Sequence, residues 1–536
     1  MKETPDTIET NESCIISGID ISGMTLYDFL RNSVAEYPEH YAVKLGDYKL
    51  TYKELDAMTA VMAGNLRLAG FEKEDKITIF LPNSPEFIAS FWALARSGFV
   101  GAVANPLYSE TELLRQLDSS DSKAIITTAS QVKKIYAVLN SYDLKRIYVV
   151  GNKGEVPPEY VDIIRDYEDL LEPNKGYTCK NLNSDDLALL QFTGGTTGIP
   201  KGCMLTHKNL ISDAVAVYSV LSHIMEKGKE VFLGGLPYFH IYGLQTEIII
   251  PVYVGATMVP MAFFSPKSLL TALESEKVTC MPSAPAVFAA CSGQKSLAEH
   301  DLSRLKLIIS GSAPLFKEQR EEFEKYAPVL IAEGYGLSEA SPVTHLAVPT
   351  RPIKIGSIGH PIPGIEVKIT DPEYGIQEYG SNKAGELCVK GPQVMKGYYK
   401  EPSQTEMVLR DGWLYTGDIA YKDDDGYYFI TARKKDLIIS GGYNIYPREV
   451  EEVLFKHPDV AEAVVVGIPH KTRGELVKAF IVLKPESKAE KSDIVNFCRN
   501  VLANYKIPRE IEFRDSLPKN AVGKVLRKDL REEQTN

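Results

Sequence analysis

The segment 191–202 limits most strongly how this chain can fold, and it reads Gln-Phe-Thr-Gly-Gly-Thr-Thr-Gly-Ile-Pro-Lys-Gly. The apolar run 187–192 before it predicts a buried strand, and Thr206 after it predicts the N-cap of a helix. Glycines let backbone N–H groups approach an anion, while threonine hydroxyls and Lys201 add donors and charge. Strand, Gly/Thr loop, lysine and helix in this order indicate a polyphosphate site.

This Gly/Thr loop does not have the spacing of a Walker A motif, in which Gly-Lys-Ser/Thr opens a helix. Lys201 instead follows Pro200, which has no N–H to offer a phosphate. A loop of this composition is also typical of a plain surface turn. The function therefore depends on what the rest of the chain supplies.

Length and composition exclude several classes of protein. At 536 residues the chain should divide into at least two domains. A net charge of −11 argues against nucleic acid as the main partner. The 7 cysteines form no C-x-x-C pair, so reduced thiols and a cytoplasmic location are expected. We find neither a signal peptide at the start of the sequence nor the uninterrupted apolar run of about 18 residues that a spanning helix needs.

Strand-like runs alternate with amphipathic runs through the first four hundred residues or so, which predicts an α/β fold with parallel crossovers. Predicted strands cover 77–81, 124–128, 146–150 and 305–309, and predicted helices cover 54–68, 84–97 and 110–117. The charged run 433–436 then precedes a pattern of strands and helices long enough for a small α+β domain.

Four further segments carry side chains suited to a nucleotide. The segment 307–314 is predicted as a strand that enters a loop of residues small enough for a flat base to approach the backbone, and Pro314 is expected in the first turn of the next helix. Tyr335 can stack on adenine, and Glu339 can bind Mg²⁺ through oxygen. Asp418 can accept both ribose hydroxyls, and Lys524 lies on a Gly-punctuated loop. Each has a plain structural alternative (a core tyrosine, a turn former, a surface lysine), so only their joint occurrence is informative.

In this order the segments resemble the adenylate-forming superfamily of acyl-CoA synthetases, luciferases and peptide-synthetase adenylation domains. The resemblance runs from Leu50 to Lys524 and is strongest to bacterial fatty acyl-CoA ligases. The segments that carry it are 193–202, Glu-Gly-Tyr-Gly-Leu-Ser-Glu (333–339), Gly-Glu-Leu-Cys-Val-Lys-Gly-Pro-Gln-Val-Met-Lys-Gly-Tyr (385–398), Tyr-Thr-Gly-Asp (415–418) and Asn-Ala-Val-Gly-Lys (520–524). Two departures are Gly194, where many members have serine, and Ser338, where threonine is commoner.

The resemblance implies an α/β fold in two parts. A large N-terminal domain (1–432) of layered α/β subdomains with a small β-barrel-like part would bind AMP and the acyl group. A small, mobile α+β C-terminal domain (433–536) would turn about a hinge near Lys435. After the turn it would present segment 440–444 in place of Lys524.

The resemblance also implies the reaction. A carboxylate attacks the α-phosphate of ATP, which gives acyl-AMP and pyrophosphate, and the CoA thiolate then releases AMP. ATP, Mg²⁺ and coenzyme A are the expected cofactors. The expected catalytic residues are Lys524, His240, Thr196 and Glu339, and the last two would also bind the metal. The expected cofactor-binding residues are Thr193, Gly194, Gly195, Thr196, Thr197, Gly198, Lys201, Gly311, Ser312, Ala313, Pro314, Glu333, Gly334, Tyr335, Gly336, Ser338, Asp418, Ile430, Arg433, Lys435, Ser440, Gly441, Gly442, Tyr443 and Lys524.

The acid itself stays open. Tyr238, Tyr242, Gly336 and Leu337 are expected to line the acyl tunnel, and the small Gly336 favours a medium or long fatty acid over an aryl acid. Transfer to a carrier protein, a luciferase, a P-loop kinase and a nucleotide sensor are the other functions considered. The sequence predicts no nucleic-acid partner and leaves peripheral membrane contact and homodimer formation open.

Overall fold

The computed structural model describes residues 15–193, 200–291, 295–315, 317–327, 329–440, 443–520 and 523–534. In chain order, the strands are β1 (Ile15–Ile16), β2 (Ile19–Asp20), β3 (Tyr41–Leu45), β4 (Tyr48–Thr51), β5 (Lys76–Phe80), β6 (Val100–Val103), β7 (Ser122–Thr128), β8 (Arg146–Val150), β9 (Ile164–Asp166), β10 (Leu187–Thr193), β11 (Lys201–Thr206), β12 (Val231–Gly234), β13 (Thr257–Pro260), β14 (Cys280–Ser283), β15 (Leu307–Ser310), β16 (Leu330–Gly336), β17 (Val343–Leu346), β18 (His360–Pro361), β19 (Glu366–Thr370), β20 (Gly385–Lys390), β21 (Leu409–Arg410), β22 (Trp413–Lys422), β23 (Tyr428–Arg433), β24 (Ile438–Ser440), β25 (Tyr443–Ile445), β26 (Val460–His470), β27 (Gly474–Leu483) and β28 (Glu510–Phe513).

The α-helices begin and end as follows: α1 (Leu26–Glu36), α2 (Tyr52–Leu68), α3 (Pro85–Ser97), α4 (Glu110–Ser120), α5 (Val132–Leu139), α6 (His207–Leu221), α7 (Ile241–Leu244), α8 (Ile250–Tyr253), α9 (Pro266–Ser275), α10 (Pro285–Cys291), α11 (Lys317–Glu324), α12 (Pro402–Val408), α13 (Pro447–Phe455), α14 (Lys491–Arg499) and α15 (Arg527–Glu532). A π-helical turn, Gln245–Ile249, joins α7 to α8. Within the described ranges, each helix is too short or too polar to cross a lipid bilayer.

A sheet of seven described strands has at one edge β11 and β10, the strands on either side of the Gly/Thr loop in sequence. Its order is β11-β10-β6-β5-β7-β8-β9, parallel except for β11, which runs antiparallel to β10. The predicted helices are present as α2, α3 and α4, and of these α3 and α4 supply crossovers between parallel strands of this sheet. Local signals set their ends: Ser84 caps α3, Pro85 fills its first turn, and Gly98 ends it in the left-handed conformation.

A second sheet, of nine described strands, packs against the first with helix α6 in contact with both sheets. Its order is β18-β17-β16-β15-β14-β12-β13-β3-β4, and the strands from β16 to β3 are parallel. Helix α6 lies between the sheets and is buried along most of its length. Its Thr206 N-cap, predicted from the sequence, accepts the Asn209 N–H in a capping box.

Two smaller sheets follow. Strands β19 to β23 form an antiparallel sheet, which corresponds to the part predicted as barrel-like. Strands β24 to β28 form a separate sheet that packs on α13 and α14 around its own apolar core, including Ile438, Val450 and Ile481. The chain passes from one sheet to the other within a short 3₁₀ turn, Lys434–Asp436.

Candidate active site

A cavity of about 1100 Å³ opens where the two large sheets, the antiparallel sheet and the C-terminal part of the chain meet. Its wall contains the end of β10 (Thr193), the start of β11 (Lys201), and the loop after β15 (Gly311 and Ser312). It also contains most of the segment 334–339 and, from the C-terminal part, Lys524. Parallel strands end at this face, which is where α/β sheets commonly bind ligands.

An acidic group with two fixed partners lies on one wall of the cavity. The Tyr335 hydroxyl donates to Asp418 Oδ2 at 2.6 Å, and Arg433 Nε lies 3.2 Å from Asp418 Oδ1. The pairing of β22 with β23 places Asp418 directly opposite Arg433. The Asp418 charge raises the pKa of the Arg433 guanidinium, and burial raises that of the Tyr335 phenol. Asp418 is therefore held as a hydrogen-bond acceptor between Tyr335 and Arg433.

A second carboxylate, Glu339, faces the same cavity and has a tyrosine partner. The Tyr398 hydroxyl donates to Glu339 Oε1 at 2.6 Å. Among the described residues none bonds Glu339 Oε2. Lys201 Nζ lies 5.1 Å from the centroid of the Tyr398 ring and donates to Gln404 Oε1 at 2.5 Å. Lys201 and Glu339 therefore contact the same tyrosine.

Lys524 reaches the cavity from the other end of the chain. Its loop is tied by Asn520, whose Oδ1 accepts the Lys524 N–H at 2.8 Å, and it turns at Gly523 with φ +77°. Burial of its ammonium and the nearby Arg433 charge lower the pKa of Lys524 to about 8. A charge that is poorly solvated and close to the cavity is available to an anionic ligand.

His240 lies near this lysine, at the start of α7. Its Nδ1 accepts the N–H of Tyr242 at 3.2 Å. Burial and the Lys524 charge lower the pKa of His240 to about 4, so the ring is neutral at physiological pH. A neutral ring that accepts at Nδ1 carries its proton on Nε2, which can then donate a hydrogen bond.

Part of the cavity wall is formed by side chains of the main hydrophobic core. Tyr242 forms part of this wall, and its hydroxyl donates to the Ile309 carbonyl at 2.7 Å. The aliphatic lining residues that belong to this core are Val217, Ile241, Ile309, Val343 and Leu346. Thr246, on the π-helical turn, adds a hydroxyl to this region. We call this part the apolar limb, and it suits a hydrocarbon more than a charged group.

The segments predicted to exchange during catalysis occupy different places. Lys435 lines the cavity, and burial lowers the pKa of its ammonium. Ser440 and Tyr443 are paired in the β24–β25 hairpin and do not line the cavity. Tyr443 is 58% exposed and stacks on Tyr505 with ring centroids 4.6 Å apart.

Several expected site residues are not brought into the cavity. Glu333 is buried against Arg320, whose Nη2 lies 3.2 Å from Glu333 Oε1. Ile430 packs in the core of the antiparallel sheet, and Tyr238 is fully buried against Phe87. Ala313 and Pro314 lie beyond the lining residues of the β15 loop. Pro314 was also expected in the first turn of a helix, which is wrong, because α11 begins at Lys317.

The remaining expected residues have these positions. Gly334, Tyr335, Gly336, Leu337 and Ser338 line the cavity, as do Gly311 and Ser312. Gly194, Gly195, Thr196, Thr197, Gly198, Gly441 and Gly442 lie outside the described residues.

Tyr398, Gln404 and Lys434 were not predicted as site residues. Tyr398 belongs to the segment 385–398, which was used only for the resemblance. Its place at the end of that segment, directly after Lys396 and Gly397, was the one feature that could have indicated a role. Lys434, whose Nζ lies 2.9 Å from Glu386 Oε2, was hidden within an ordinary charged run.

Comparison with known proteins gives matches along most of the chain. The family model described as AMP-binding enzyme matches residues 30–399, and that described as AMP-binding enzyme C-terminal domain matches residues 449–524. The long-chain-fatty-acid–CoA ligase of Bacillus subtilis is 38% identical over 96% of this chain and 96% of its own length. The 4-coumarate–CoA ligase 1 of Arabidopsis thaliana is 32% identical over 96% and 93%.

Solved structures match with similar coverage. ATP-bound MatB from Rhodopseudomonas palustris is 27% identical and superposes with a TM-score of 0.87 over 95% of this chain and 99% of its own. The apo form of the same protein gives a TM-score of 0.78 over the same shares of the two chains. The arrangement described above is thus more similar to the ATP-bound form.

Proposed function

The chain belongs to the family of AMP-binding enzymes, and we propose that it is an AMP-forming acid–thiol ligase that joins a fatty acid to coenzyme A. The observation that carries the proposal is the meeting of three groups in one cavity. The Asp418–Arg433 pair suits a ribose, Lys524 suits a carboxylate and a phosphate, and the apolar limb suits a hydrocarbon chain. ATP, CoA and a carboxylic acid are the substrates on this proposal.

The nucleotide would lie along the wall that carries Tyr335. The Asp418 carboxylate accepts the ribose hydroxyls, while the small residues Gly311 and Ser312 leave room for the base. The Gly/Thr loop and Lys201 bind the outer phosphates, which leave as pyrophosphate. Since Lys201 already contacts Tyr398 and Gln404, we expect it to contribute to ATP binding more than to bond formation.

Glu339 fits a site for Mg²⁺. The metal is commonly held by one or two carboxylates together with phosphate oxygens. Glu339 has one oxygen fixed by Tyr398, and no described residue bonds its other oxygen, so the carboxylate can serve in this way. When bound, Mg²⁺ would supply charge neutralisation on the phosphates. Thr196 remains the proposed second ligand.

In the first step, a carboxylate oxygen forms a bond to the α-phosphorus, and the bond from that phosphorus to the bridging oxygen of pyrophosphate breaks. Both reactants are anionic, so their repulsion contributes to the barrier. The Lys524 ammonium offsets charge on the carboxylate and the α-phosphate in a poorly solvated site, where it is most effective. His240 can donate from Nε2 to the reacting carboxyl group.

In the second step, the CoA thiolate attacks the acyl carbon and AMP leaves. The thiol needs access to the acyl carbon, but Lys524 lies next to that carbon during the first step. We therefore propose that the C-terminal domain, residues 433–536, turns about Lys435, so that the part of the chain after this pivot moves away from residues 1–432. The separate core of the last sheet and the short turn at 434–436 support this division. Rotation would bring Ser440 and Tyr443, with Gly441 and Gly442 between them, toward the CoA arm.

A fatty acid is the substrate that the apolar limb favours. Its walls are aliphatic apart from Tyr242 and Thr246, and the Tyr242 hydroxyl is already bonded to a backbone carbonyl. The names of the B. subtilis relative and of the Arabidopsis relative represent the two acid classes, aliphatic and aryl. A cytoplasmic location belongs to the same proposal and rests on the scattered cysteines.

The test is a panel of carboxylic acids incubated with ATP and Mg²⁺, with and without CoA. Saturated fatty acids of increasing length and substituted cinnamic and benzoic acids form its two arms. We expect pyrophosphate release with fatty acids and acyl-CoA formation only with CoA. Preference for the aryl arm would contradict the fatty acid and leave the ligase assignment intact. Adenylate formation without any acyl-CoA would favour transfer to a carrier protein, and ADP release would contradict the ligase itself.

A further inference from the structure

Tyr398 stands between two charged groups that belong to different segments of the site. Its hydroxyl bonds the Glu339 carboxylate at 2.6 Å, and its ring lies 5.1 Å from Lys201 Nζ. The side chain is only 7% exposed, and part of that surface lines the cavity. One aromatic residue thus contacts both the proposed metal ligand and the proposed phosphate-binding lysine.

The backbone around Tyr398 is fixed to both of these segments. Residues 396–399 run alongside β11: Met204 N–H donates to the Gly397 carbonyl at 2.9 Å, and Tyr399 N–H donates to the Gly202 carbonyl at 2.8 Å. Cys203 forms an antiparallel bridge with Tyr398. On the other side, Met395 N–H donates to the Glu339 carbonyl at 2.8 Å. Segment 395–399 therefore joins the strand that follows the Gly/Thr loop to the Glu339 turn.

The backbone of Tyr398 is also held by the helix that follows it, α12. The Thr405 hydroxyl accepts the Tyr398 N–H at 2.9 Å, and Thr405 itself donates to the Glu401 carbonyl. A hydroxyl on a side chain whose backbone is fixed in this way positions a carboxylate better than water does, because water reorients. With Oε1 occupied by this bond, Oε2 is the oxygen left for a cation.

On the basis of the proposed function, we propose that Tyr398 is a positioning residue for the metal–nucleotide complex. Its hydroxyl fixes the Glu339 carboxylate so that Oε2 is presented to Mg²⁺, and its ring supports Lys201 beside the outer phosphates. Tyr398 does not touch the reacting atoms. Its removal should therefore weaken binding of the metal more than it slows the chemistry at saturating metal.

The experiment compares Tyr398→Phe with Tyr399→Phe, a matched control in the next residue. The Tyr399 hydroxyl also bonds a carboxylate, that of Asp121, at 2.9 Å. Unlike Tyr398, Tyr399 does not line the cavity, and Asp121 does not either. Mn²⁺ is titrated into each full-length protein with ATP, in the absence of carboxylic acid and CoA. Water proton relaxation reports the metal held on the protein. Tyr398→Phe should bind Mn²⁺·ATP about tenfold more weakly, whereas Tyr399→Phe should match the unmodified chain.

Two further variants separate the two contacts of Tyr398. In a Glu339→Gln background, adding Tyr398→Phe should change Mn²⁺·ATP binding little, because the carboxylate it positions is gone. Tyr398→Leu, which also removes the ring, should weaken metal-free ATP binding by about threefold, the size of a modest cation–π contact. Tyr398→Phe should leave metal-free ATP binding unchanged.

Equal Mn²⁺·ATP affinity in Tyr398→Phe and Tyr399→Phe would overturn the inference, as would a fall in turnover with unchanged metal dependence. Loss of folding in Tyr398→Phe would do the same, because the hydroxyl would then be structural. If the unmodified chain did not bind Mn²⁺·ATP at all, the proposed function would fail first. If it bound normally and Tyr398→Phe bound equally well, only the role of Tyr398 would be wrong.

Discussion

Lys524 is the residue whose charge state should control the first step. Burial lowers its pKa to about 8, so the free enzyme loses the ammonium as the pH rises through that value. Neutral lysine cannot offset the repulsion between the carboxylate and ATP. We expect kcat/KM for ATP in pyrophosphate release, measured without CoA, to fall above pH 8 or so. His240, with a pKa near 4, should not contribute to the profile between pH 6 and 9 or so.

Lys524→Arg provides the check on this assignment. Arginine stays protonated across the accessible range, so the residual activity of the variant should show no fall near pH 8. Its guanidinium is broader than an ammonium, and we expect a lower overall rate. An identical alkaline limb in Lys524→Arg and the unmodified chain would assign the titration to another group.

At the scale of elements, the close approach of β16 and β17 explains why residue 336 is a glycine, and the substrate is not needed for this explanation. A Cβ at Gly336 would lie 2.0 Å from the carbonyl oxygen of Pro342, a backbone atom that cannot move aside. The glycine is therefore required by the approach of the two strands. Its small size carries no information about chain length, contrary to the expectation from the sequence.

Gly336→Ala should therefore destabilise the protein, by about 1–3 kcal/mol or more, as is typical of overpacking. Activity toward fatty acids of every length should fall in the same proportion. Thermal unfolding together with the carboxylic acid panel measures both effects. Gly380→Ala is the control, because a Cβ there meets no atom within 4 Å. A selective loss of long acids in Gly336→Ala, with unchanged stability, would restore the role in chain length.

The elements around the Gly/Thr loop show how far sequence patterns reach. The buried strand before the loop and the Thr206 cap after it could be predicted because both signals are local. Strand β11, which forms a hairpin with β10, was not predicted, and its bridge to Tyr398 joins distant parts of the chain that no local signal connects. For the same reason Glu333 was placed in the site, although Arg320 holds it away from the cavity.

At the scale of the whole molecule, the proposed rotation requires that Lys524 leave the cavity. The loop that carries it lies against α10, where a Cβ at Gly523 would be 2.7 Å from the Cβ of Ala286. A disulfide needs a Cβ–Cβ distance of about 3.5–4.5 Å, so a shift of about 1 Å admits one between Ala286→Cys and Gly523→Cys. The oxidised double variant should release pyrophosphate but form no acyl-CoA.

Reduction of that disulfide should restore acyl-CoA formation in the same sample. The single variants Ala286→Cys and Gly523→Cys are the controls, and the second also measures the strain of a side chain at φ +77°. Acyl-CoA formation at an undiminished rate by the oxidised form would mean that no rotation is needed.

Strand β23 ends at Arg433, two residues before the proposed pivot, and Arg433 is held on Asp418. On the proposed mechanism, the torsion change begins just past a residue that the nucleotide already fixes. The mixed anhydride could then stay in place while the lysine withdraws and the thiol enters. A reactive species that is never set free has no opportunity to react with water, so this short spacing would protect the yield of acyl-CoA per ATP consumed.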